Sequence, residues 1–335
     1  MNTKRETKLM ARRELLQATG WIAGGALVAR FLPSTLVARA AAFPLPAYPQ
    51  QGGAPADPIA AMRAQLASVP METHKLADNL TLFAGPGGNV VVLSGPDGKF
   101  VVDSFVQPVW PKLKAAIDGL DKSPLKLLID THWHFDHTDN NAAFHEAGAG
   151  ILAHENTKKR LTETHDLLGM HFTPAPADAL PTETFKVMKK LQANGENLML
   201  AHIAPAHTDS DIYVHYQKAN VLHCGDVFFN GMYPFIDAGT GGSINGTIAG
   251  ATKLLAMVDK DTKIVPGHGP LGDKVALTKY RDVLTTARDR VQKLKSPGKK
   301  LEEVLAAKPT ADLDPTWGKG FMPPDNFLTI VYNTL

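Results

Sequence analysis

The sequence predicts an α/β fold built in four layers, and three observations lead to this prediction. Short β-rich runs dominate the chain from about residue 75 onward, and turns rich in glycine and proline separate them. Segments with apolar residues at helical spacing follow these runs. The second half of the chain then repeats the same order of strands and helices, so we expect two similar halves, each a sheet covered by helices.

The individual elements follow from composition and spacing. In the first half we predict strands at 80–83, 89–93, 100–103 and 125–129 and a helix at 109–120. Glycine-proline turns at 85–88 and 95–98 join the first three strands, which indicates an antiparallel meander. In the second half we predict strands at 184–191, 198–204, 212–216, 221–224 and 261–265, and helices at 247–258 and 277–294.

Composition excludes several classes of protein. Of the 335 residues, 44% are hydrophobic and 20% are charged, which is typical of a globular protein and excludes a mostly disordered or fibrous one. The single cysteine, Cys224, excludes an intramolecular disulfide, and we expect it to be a small buried core residue. After residue 40 no apolar run is long enough to span a bilayer, so we expect no stable membrane insertion of the mature chain.

Residues 1–40 are predicted to be an export signal. The adjacent Arg12 and Arg13 precede a weakly apolar stretch at 21–37, and the triplet Ala38-Arg39-Ala40 suits a signal peptidase. The paired arginines resemble a twin-arginine signal and predict a periplasmic or secreted protein. An N-terminal amphipathic or anchor helix is the alternative interpretation.

The remaining chain divides into a linker and one domain. Residues 41–74 are rich in proline and glycine and predict an extended linker with a short helix at 58–67, and residues 75–335 form the predicted domain. Residues 1–40 carry seven basic and two acidic side chains, so their removal changes the net charge from +2 to −3. A slightly acidic body favours a small-molecule substrate over nucleic acid. The sequence does not predict an oligomeric state.

The densest group of reactive side chains is the segment Thr-His-Trp-His-Phe-Asp-His at 131–137, directly after the predicted strand 125–129. Imidazole nitrogens and carboxylate oxygens are the ligands that zinc takes in catalytic sites. A loop at the end of a strand can direct such closely spaced side chains toward two ions, whereas a helix cannot readily do so. A surface cluster of histidines is the alternative interpretation.

Three later residues can complete such a site. His207, Asp226 and His268 each follow a predicted strand, on turns rich in glycine, proline or small residues. Because strand ends on one rim of a sheet lie close together, these side chains can share a site with the segment 131–137. The total of five histidines and two aspartates is enough for two metals with a shared carboxylate.

In this order the motifs resemble those of the metallo-β-lactamase-fold metallohydrolase superfamily, from about residue 75 to the C-terminus. The resemblance implies an αββα sandwich with the metals at one edge of the paired sheets. The ligands that it implies are His132, His134 and His207 for the first metal, Asp136, His137 and His268 for the second, and Asp226 as the bridge between them.

The bridging aspartate separates branches of this superfamily. Its β-lactamases usually lack that residue, whereas branches similar to glyoxalase II and the lactonases have it, as Asp226 stands here. The export signal and the run at 228–237 look most like those of periplasmic members linked to quinoprotein systems, whose substrates are poorly defined.

The resemblance implies a dinuclear zinc-dependent hydrolase that uses a metal-bridging hydroxide to cleave an ester, lactone, thioester or amide bond. Asp136 is the implied catalytic residue, because it would ligate the second metal and orient the hydroxide. Iron and manganese are alternatives to zinc. The alternative functions are a periplasmic β-lactamase, a single-iron oxidoreductase similar to persulfide dioxygenases, and a non-catalytic binding factor.

Residues around this centre carry weaker signals. Asp130, Asp209 and Asp211 are candidates to hold the ligand imidazoles through their other nitrogens, and a solvated loop or turn cap is the alternative for each. The segment 162–181 is predicted either to lie over the metals or to be a surface insert. Tyr233 either reaches a substrate or packs in the core. The sequence predicts no substrate-binding residue beyond these alternatives.

Overall fold

The computed structural model describes residues 57–335, so the predicted export signal and residues 41–56 of the predicted linker lie outside the described residues. The strands are β1 (Glu72–Ala77), β2 (Leu80–Gly85), β3 (Gly88–Leu93), β4 (Lys99–Val102), β5 (Leu125–Ile129), β6 (Gly150–His154), β7 (His165–Leu167), β8 (Met170–Phe172), β9 (Glu183–Phe185), β10 (Met188–Ala193), β11 (Glu196–His202), β12 (Ile212–Tyr216), β13 (Val221–His223) and β14 (Lys263–Val265). The helices are α1 (Pro58–Ala67), α2 (Trp110–Asp118), α3 (Phe135–Thr138), α4 (Asn141–Glu146), α5 (Glu155–Leu161), α6 (Ile244–Leu255), α7 (Lys274–Lys295), α8 (Leu301–Ala306), α9 (Asp314–Trp317) and α10 (Pro324–Asn333).

Two sheets hold most of the strands. The first has seven strands in the order β1-β2-β3-β4-β5-β6-β9, antiparallel from β1 to β4 and parallel from β4 to β9. The second has five strands in the order β10-β11-β12-β13-β14, antiparallel except for the parallel pair β13 and β14. Strands β7 and β8 form a separate hairpin.

Three apolar clusters show the four layers. One lies between the two sheets, and the others join the outer face of each sheet to its helices. Strand β3 shows how alternation builds them, because Val91 and Leu93 face the opposing sheet whereas Val90 and Val92 face the helices α1 and α2. The fold is therefore the αββα sandwich that the sequence predicts.

One predicted strand is wrong in an informative way. The run 184–191 was expected to be a single strand, but the structure divides it between β9 in the first sheet and β10 in the second. The chain crosses between the sheets at Lys186 and Val187, and the Val187 side chain is exposed. No glycine or proline interrupts this β-rich run, so the pattern carries no sign of the crossing.

Capping residues explain where the two long helices of the second half begin. Helix α6 starts three residues before the predicted position because the Ser243 hydroxyl accepts a hydrogen bond from the Gly246 amide at 3.0 Å. Helix α7 starts three residues early in the same way, because Asp273 accepts from the Ala276 amide at 2.8 Å. Among residues 57–335, none of the helices combines the length and the apolar character needed to cross a bilayer.

Helix α1 occupies the helical segment predicted within the linker and packs against the sandwich. Asp57 caps it by accepting from the Ala60 amide at 2.9 Å, and Pro58 occupies its first turn. Leu66 is buried with the outer face of the first sheet. Arg63 forms two hydrogen bonds to the Asp139 carboxylate, at 2.7 Å from Nε and 2.5 Å from Nη2. The helix is therefore attached beside the loop that carries the histidine motif.

Candidate metal centre

The histidine motif begins in the loop that follows β5 and ends in the short helix α3, which carries Asp136 and His137, so the motif does not lie wholly in a loop as predicted. A buried aspartate at the end of the neighbouring strand organises it. Asp103 follows β4 with a φ of 63° and accepts from the Thr131 amide at 2.8 Å and the Thr131 hydroxyl at 2.9 Å. It also accepts from His137 Nδ1 at 2.7 Å. Sequence reasoning missed this role, because one aspartate after a β-rich run is a weak signal on its own.

The structure brings four predicted ligands into a first group. The donor atoms of His132, His134, His207 and Asp226 lie within 4.8 Å of one another, and all four residues are buried. His207 Nε2 is 2.9 Å from His134 Nδ1 and 3.4 Å from Asp226 Oδ2. These residues come from three separate loops, after β5, β11 and β13.

Asp136, His137 and His268 form a second group, whose donor atoms also lie within 4.8 Å of one another. His268 Nε2 is 3.3 Å from Asp136 Oδ2 and 3.4 Å from His137 Nε2. The Asp136 side chain is 15% exposed and that of His268 is 11% exposed, whereas that of His137 is fully buried. The second group is therefore the more open of the two.

The Asp226 carboxylate contacts both groups. Its Oδ2 is 3.4 Å from His207 Nε2 and 3.3 Å from His268 Nε2, and its Oδ1 is 3.1 Å from His137 Nε2. The position of this carboxylate depends on Gly267, because a Cβ there would collide with Asp226 Oδ1. All seven predicted side chains thus lie in one place, and their role as metal ligands stays a prediction.

Hydrogen bonds on the outer ring nitrogens orient the first group. His134 Nε2 donates to Asp237 Oδ2 at 3.2 Å, and His207 Nδ1 donates to the Phe235 carbonyl at 2.9 Å. In the neutral rings, this leaves lone pairs on His134 Nδ1 and His207 Nε2, which face each other. The Thr131 hydroxyl donates to Asp103, so His132 Nδ1 donates to it at 3.1 Å and the lone pair of His132 is on Nε2.

These donors fit divalent cations. His132 Nε2 is a buried atom without a hydrogen-bond partner among the described residues, and the Asp226 carboxylate lies against imidazoles of both groups. Buried polar atoms are costly unless something satisfies them, and lone pairs that face one another repel. Imidazole nitrogen and carboxylate oxygen also suit zinc, iron and manganese. The residues present therefore match a divalent metal in donor type and orientation.

The two groups differ in the pKa of their imidazoles. Burial lowers the pKa of His132 well below its usual value and that of His207 to about 4. Burial also lowers the pKa of His137 and of His268, but nearby carboxylates raise both pKa values by more than burial lowers them. Asp226 and Asp136 raise the pKa of His268 to about 9, and the same two carboxylates with Asp103 raise the pKa of His137.

The three aspartates predicted to support the imidazoles form hydrogen bonds elsewhere. Asp211 accepts from the backbone amides of His207, at 2.8 Å, and Thr208, so it caps that turn. Asp209 pairs with Arg160 at 2.7 Å, and Asp130 accepts from Asn141 at 2.9 Å. Two other carboxylates do contact candidate ligand rings: Asp103, at His137, and Asp237, at His134. Only their contacts in the folded chain identify these two supporting carboxylates, because neither residue lies in a recognisable sequence motif.

A cleft opens beside the second group. The segment 162–181 contains the β7–β8 hairpin, and Leu167 and Met170 of that hairpin line the cleft together with Asp136 and His268. Of the two predicted alternatives for this segment, a position over the site therefore agrees with the structure. The cleft together with the open solvent at its mouth occupies about 560 Å³.

Tyr233 lies in the core and not in the cleft. Its ring stacks on Phe327 with centroids 4.2 Å apart, and its hydroxyl donates to Asp314 at 2.8 Å. Cys224 is likewise fully buried, as expected for a small core residue.

Comparisons with known proteins identify relatives of this chain. The family model described as the metallo-beta-lactamase superfamily matches residues 84–268, more than half of the chain. Acyl-coenzyme A thioesterase MBLAC2 from Gallus gallus is 25% identical over 209 residues, which cover 55% of this chain and 73% of the relative. A probable metallo-hydrolase from Methanocaldococcus jannaschii is 26% identical over 174 residues, covering 48% of this chain and 80% of the relative.

Solved structures share the fold at low sequence identity. A metallo-beta-lactamase from Pontibacter korlensis superposes with a TM-score of 0.55 and 19% identity, covering 64% of this chain and 99% of that one. A sec-alkylsulfatase from Pseudomonas sp. superposes with a TM-score of 0.62 and 16% identity, covering 81% of this chain and 51% of that one.

Proposed function

The chain belongs to the metallo-beta-lactamase superfamily and is a metal-dependent hydrolase, and from this premise we propose that it uses two zinc ions to cleave an ester, lactone, thioester or amide bond. His132, His134 and His207 would hold one ion and Asp136, His137 and His268 the other, with Asp226 shared. One observation carries the proposal: a single buried carboxylate, Asp226, lies within 3.4 Å of imidazole nitrogens of both groups.

Two bound zinc ions would supply Lewis acidity, which would lower the pKa of coordinated water to about 7 and polarise a carbonyl oxygen. The chain itself fixes where that chemistry occurs. Asp103 and Asp237 orient ligand rings through their outer nitrogens. Asp136 lines the cleft beside His268, where it would orient the attacking water toward the substrate carbonyl. Buried side chains elsewhere around the first group exclude bulk water.

Among the bonds considered, a thioester has additional support. The curated relatives from Gallus gallus, Bos taurus and Homo sapiens are named acyl-coenzyme A thioesterases, at 24–25% identity. The cleft beside the second group is lined mainly by apolar side chains, which suits the acyl part of such a substrate. A carbonyl substrate with an apolar acyl group is therefore the first to test.

The decisive experiment couples metal analysis to turnover. We expect natively purified protein to contain two zinc ions per chain and to hydrolyse at least one substrate from a panel of acyl thioesters, aryl esters, lactones and a chromogenic cephalosporin. Thorough chelation should abolish turnover and added zinc should restore it. A His145→Ala variant, altered at an exposed histidine outside both groups, is the matched control.

Several outcomes would contradict the proposal. Undiminished turnover after chelation would exclude a metal-dependent reaction. Efficient turnover of the cephalosporin alone would indicate a β-lactamase, and one iron per chain with oxidation of a persulfide would indicate a dioxygenase. Each result replaces the dinuclear hydrolase with a defined alternative.

We further propose that residues 1–40 direct twin-arginine export and that the mature domain acts in the periplasm, as in the quinoprotein-linked members that the sequence resembles. Paired arginines followed by a weakly apolar stretch support this proposal. Replacing Arg12 and Arg13 together by lysine should retain the protein in the cytoplasm, whereas Arg30→Lys should not. Unchanged export of the paired variant would contradict the twin-arginine route.

A further inference from the structure

The cleft beside the metal centre combines reactive groups with apolar walls. His134, Asp136, Asp226 and His268 line one part of it. The remaining lining residues are apolar and come from helix α1, the β7–β8 hairpin and loops on the second sheet. A substrate whose carbonyl reached the metal centre would therefore place its adjoining group against hydrocarbon.

Helix α1 supplies a wall that the superfamily match does not contain. Met62 and Leu66 of this helix line the cleft, and both precede the matched residues 84–268. Leu66 is 7% exposed and belongs to the core cluster of the first sheet, with Met62 packed against the same cluster. Both hydrogen bonds of Arg63 go to Asp139, which lies two residues after His137. They hold the helix next to the histidine motif. The wall is thus attached directly beside the second ligand group.

We propose that this cleft binds the apolar acyl group of the substrate, and that Met62 of helix α1 limits the length of acyl group that is accepted. The proposal rests on the proposed hydrolase function, because it assigns the part of the substrate next to the cleaved carbonyl. Within residues 57–335, the only charged or titratable side chains that line the cleft are the four candidate ligands. A charged acyl group would therefore lose its hydration without gaining a partner.

Two substitutions at Met62 test the wall by two different means, charge and volume. Met62→Glu places a charge against the acyl group, and Met62→Trp fills the space without adding charge. Ala64 is exposed on the same helix, so Ala64→Glu and Ala64→Trp introduce the same side chains outside the cleft. The measurement is kcat/KM of the full, metal-loaded chain for p-nitrophenyl acetate and p-nitrophenyl octanoate.

We expect the wild type to prefer octanoate by at least about tenfold, since each methylene in an apolar pocket contributes strongly to discrimination. Either Met62 variant should lower the octanoate-to-acetate ratio by about tenfold, because Glu removes an apolar contact of the longer chain and Trp takes the space that the longer chain needs. Both Ala64 variants should keep the wild-type ratio. Binding of the uncharged fluorophore N-phenyl-1-naphthylamine provides a second measurement, which needs no turnover, and Met62→Glu should weaken that binding.

The outcomes separate this proposal from the function on which it rests. Equal losses for both esters in the Met62 variants, with unchanged fluorophore binding, would overturn the acyl cleft and leave the hydrolase intact. Absence of turnover of both esters in the wild type, with fluorophore binding that depends on Met62, would support the apolar site and count against ester hydrolysis.

Discussion

The first ligand group, with His132, His134 and His207, and the second, with Asp136, His137 and His268, differ in how the protein supports their side chains. Each imidazole of the first group donates from its outer nitrogen to a fixed acceptor, and the group is buried. In the second group Asp103 holds His137, whereas His268 stacks on Phe229 at 5.0 Å and is partly exposed.

This difference indicates a division of roles. The first group is oriented in advance, so little reorganisation accompanies cation binding there. Asp136 and His268 line the cleft, so they would combine cation binding with access for water and substrate. We therefore expect the first group to bind its cation more tightly and the second to exchange its cation more readily.

The largest effect should come from the residue that the two groups share. Asp226→Ala removes a ligand from both, and losing about 4 kcal/mol of transition-state stabilisation would lower kcat/KM by about 1000-fold. Steady-state kinetics and elemental analysis would measure activity and metal content, with His145→Ala as the control. Two retained cations per chain would show that Asp226 does not join the groups.

Variants that alter only one of the two groups should distinguish the two bound cations. His134→Ala and Asp136→Asn should each lower kcat/KM by about 100-fold. In a chelator titration of the wild type we expect a weakly and a tightly held fraction of metal. Asp136→Asn should lack the weak fraction and His134→Ala the tight one. Full turnover by either variant, or the reverse assignment, would break the comparison.

Smaller effects should follow from the carboxylates behind the rings. Asp237→Asn should weaken the tightly held cation by about 10- to 100-fold in affinity. Asp103→Asn should weaken mainly the weakly held cation by a similar factor, because Asp103 contacts His137 directly and His132 only through Thr131. Competition with a chromogenic chelator measures both affinities in one titration. If Asp237→Asn changed only the weakly held fraction, His134 would belong to a different site from the one proposed.

The smallest effect should come from a residue outside both groups. Tyr233→Phe removes the hydroxyl that donates to Asp314 at 2.8 Å, which should lower the free energy of unfolding by about 1 kcal/mol. Urea denaturation measures this change, and kcat/KM should equal that of the wild type. A fall in kcat/KM at unchanged stability would restore the substrate-contact interpretation of Tyr233.

The sequence predicted elements and positions that local patterns determine. Position 226 follows a β-rich run and a glycine, and 268 lies between two glycines, so both could be assigned to strand-end turns. Supporting contacts escaped prediction because they join distant residues. His134 and Asp237 are 103 residues apart, and Arg63 and Asp139 are 76 apart. The crossing at Lys186 was hidden because tertiary pairing alone divides that run.

The origin of the donors has a consequence for the stability of the whole domain. The loop with the histidine motif extends from the first sheet, whereas His207, Asp226 and His268 extend from the second. Neither sheet alone carries a complete set of donors for either cation. Any ion bound there exists only while the sandwich is closed, so its binding free energy adds to that of folding. Melting and metal release would then be one cooperative event, and the melting temperature would rise with the concentration of free metal.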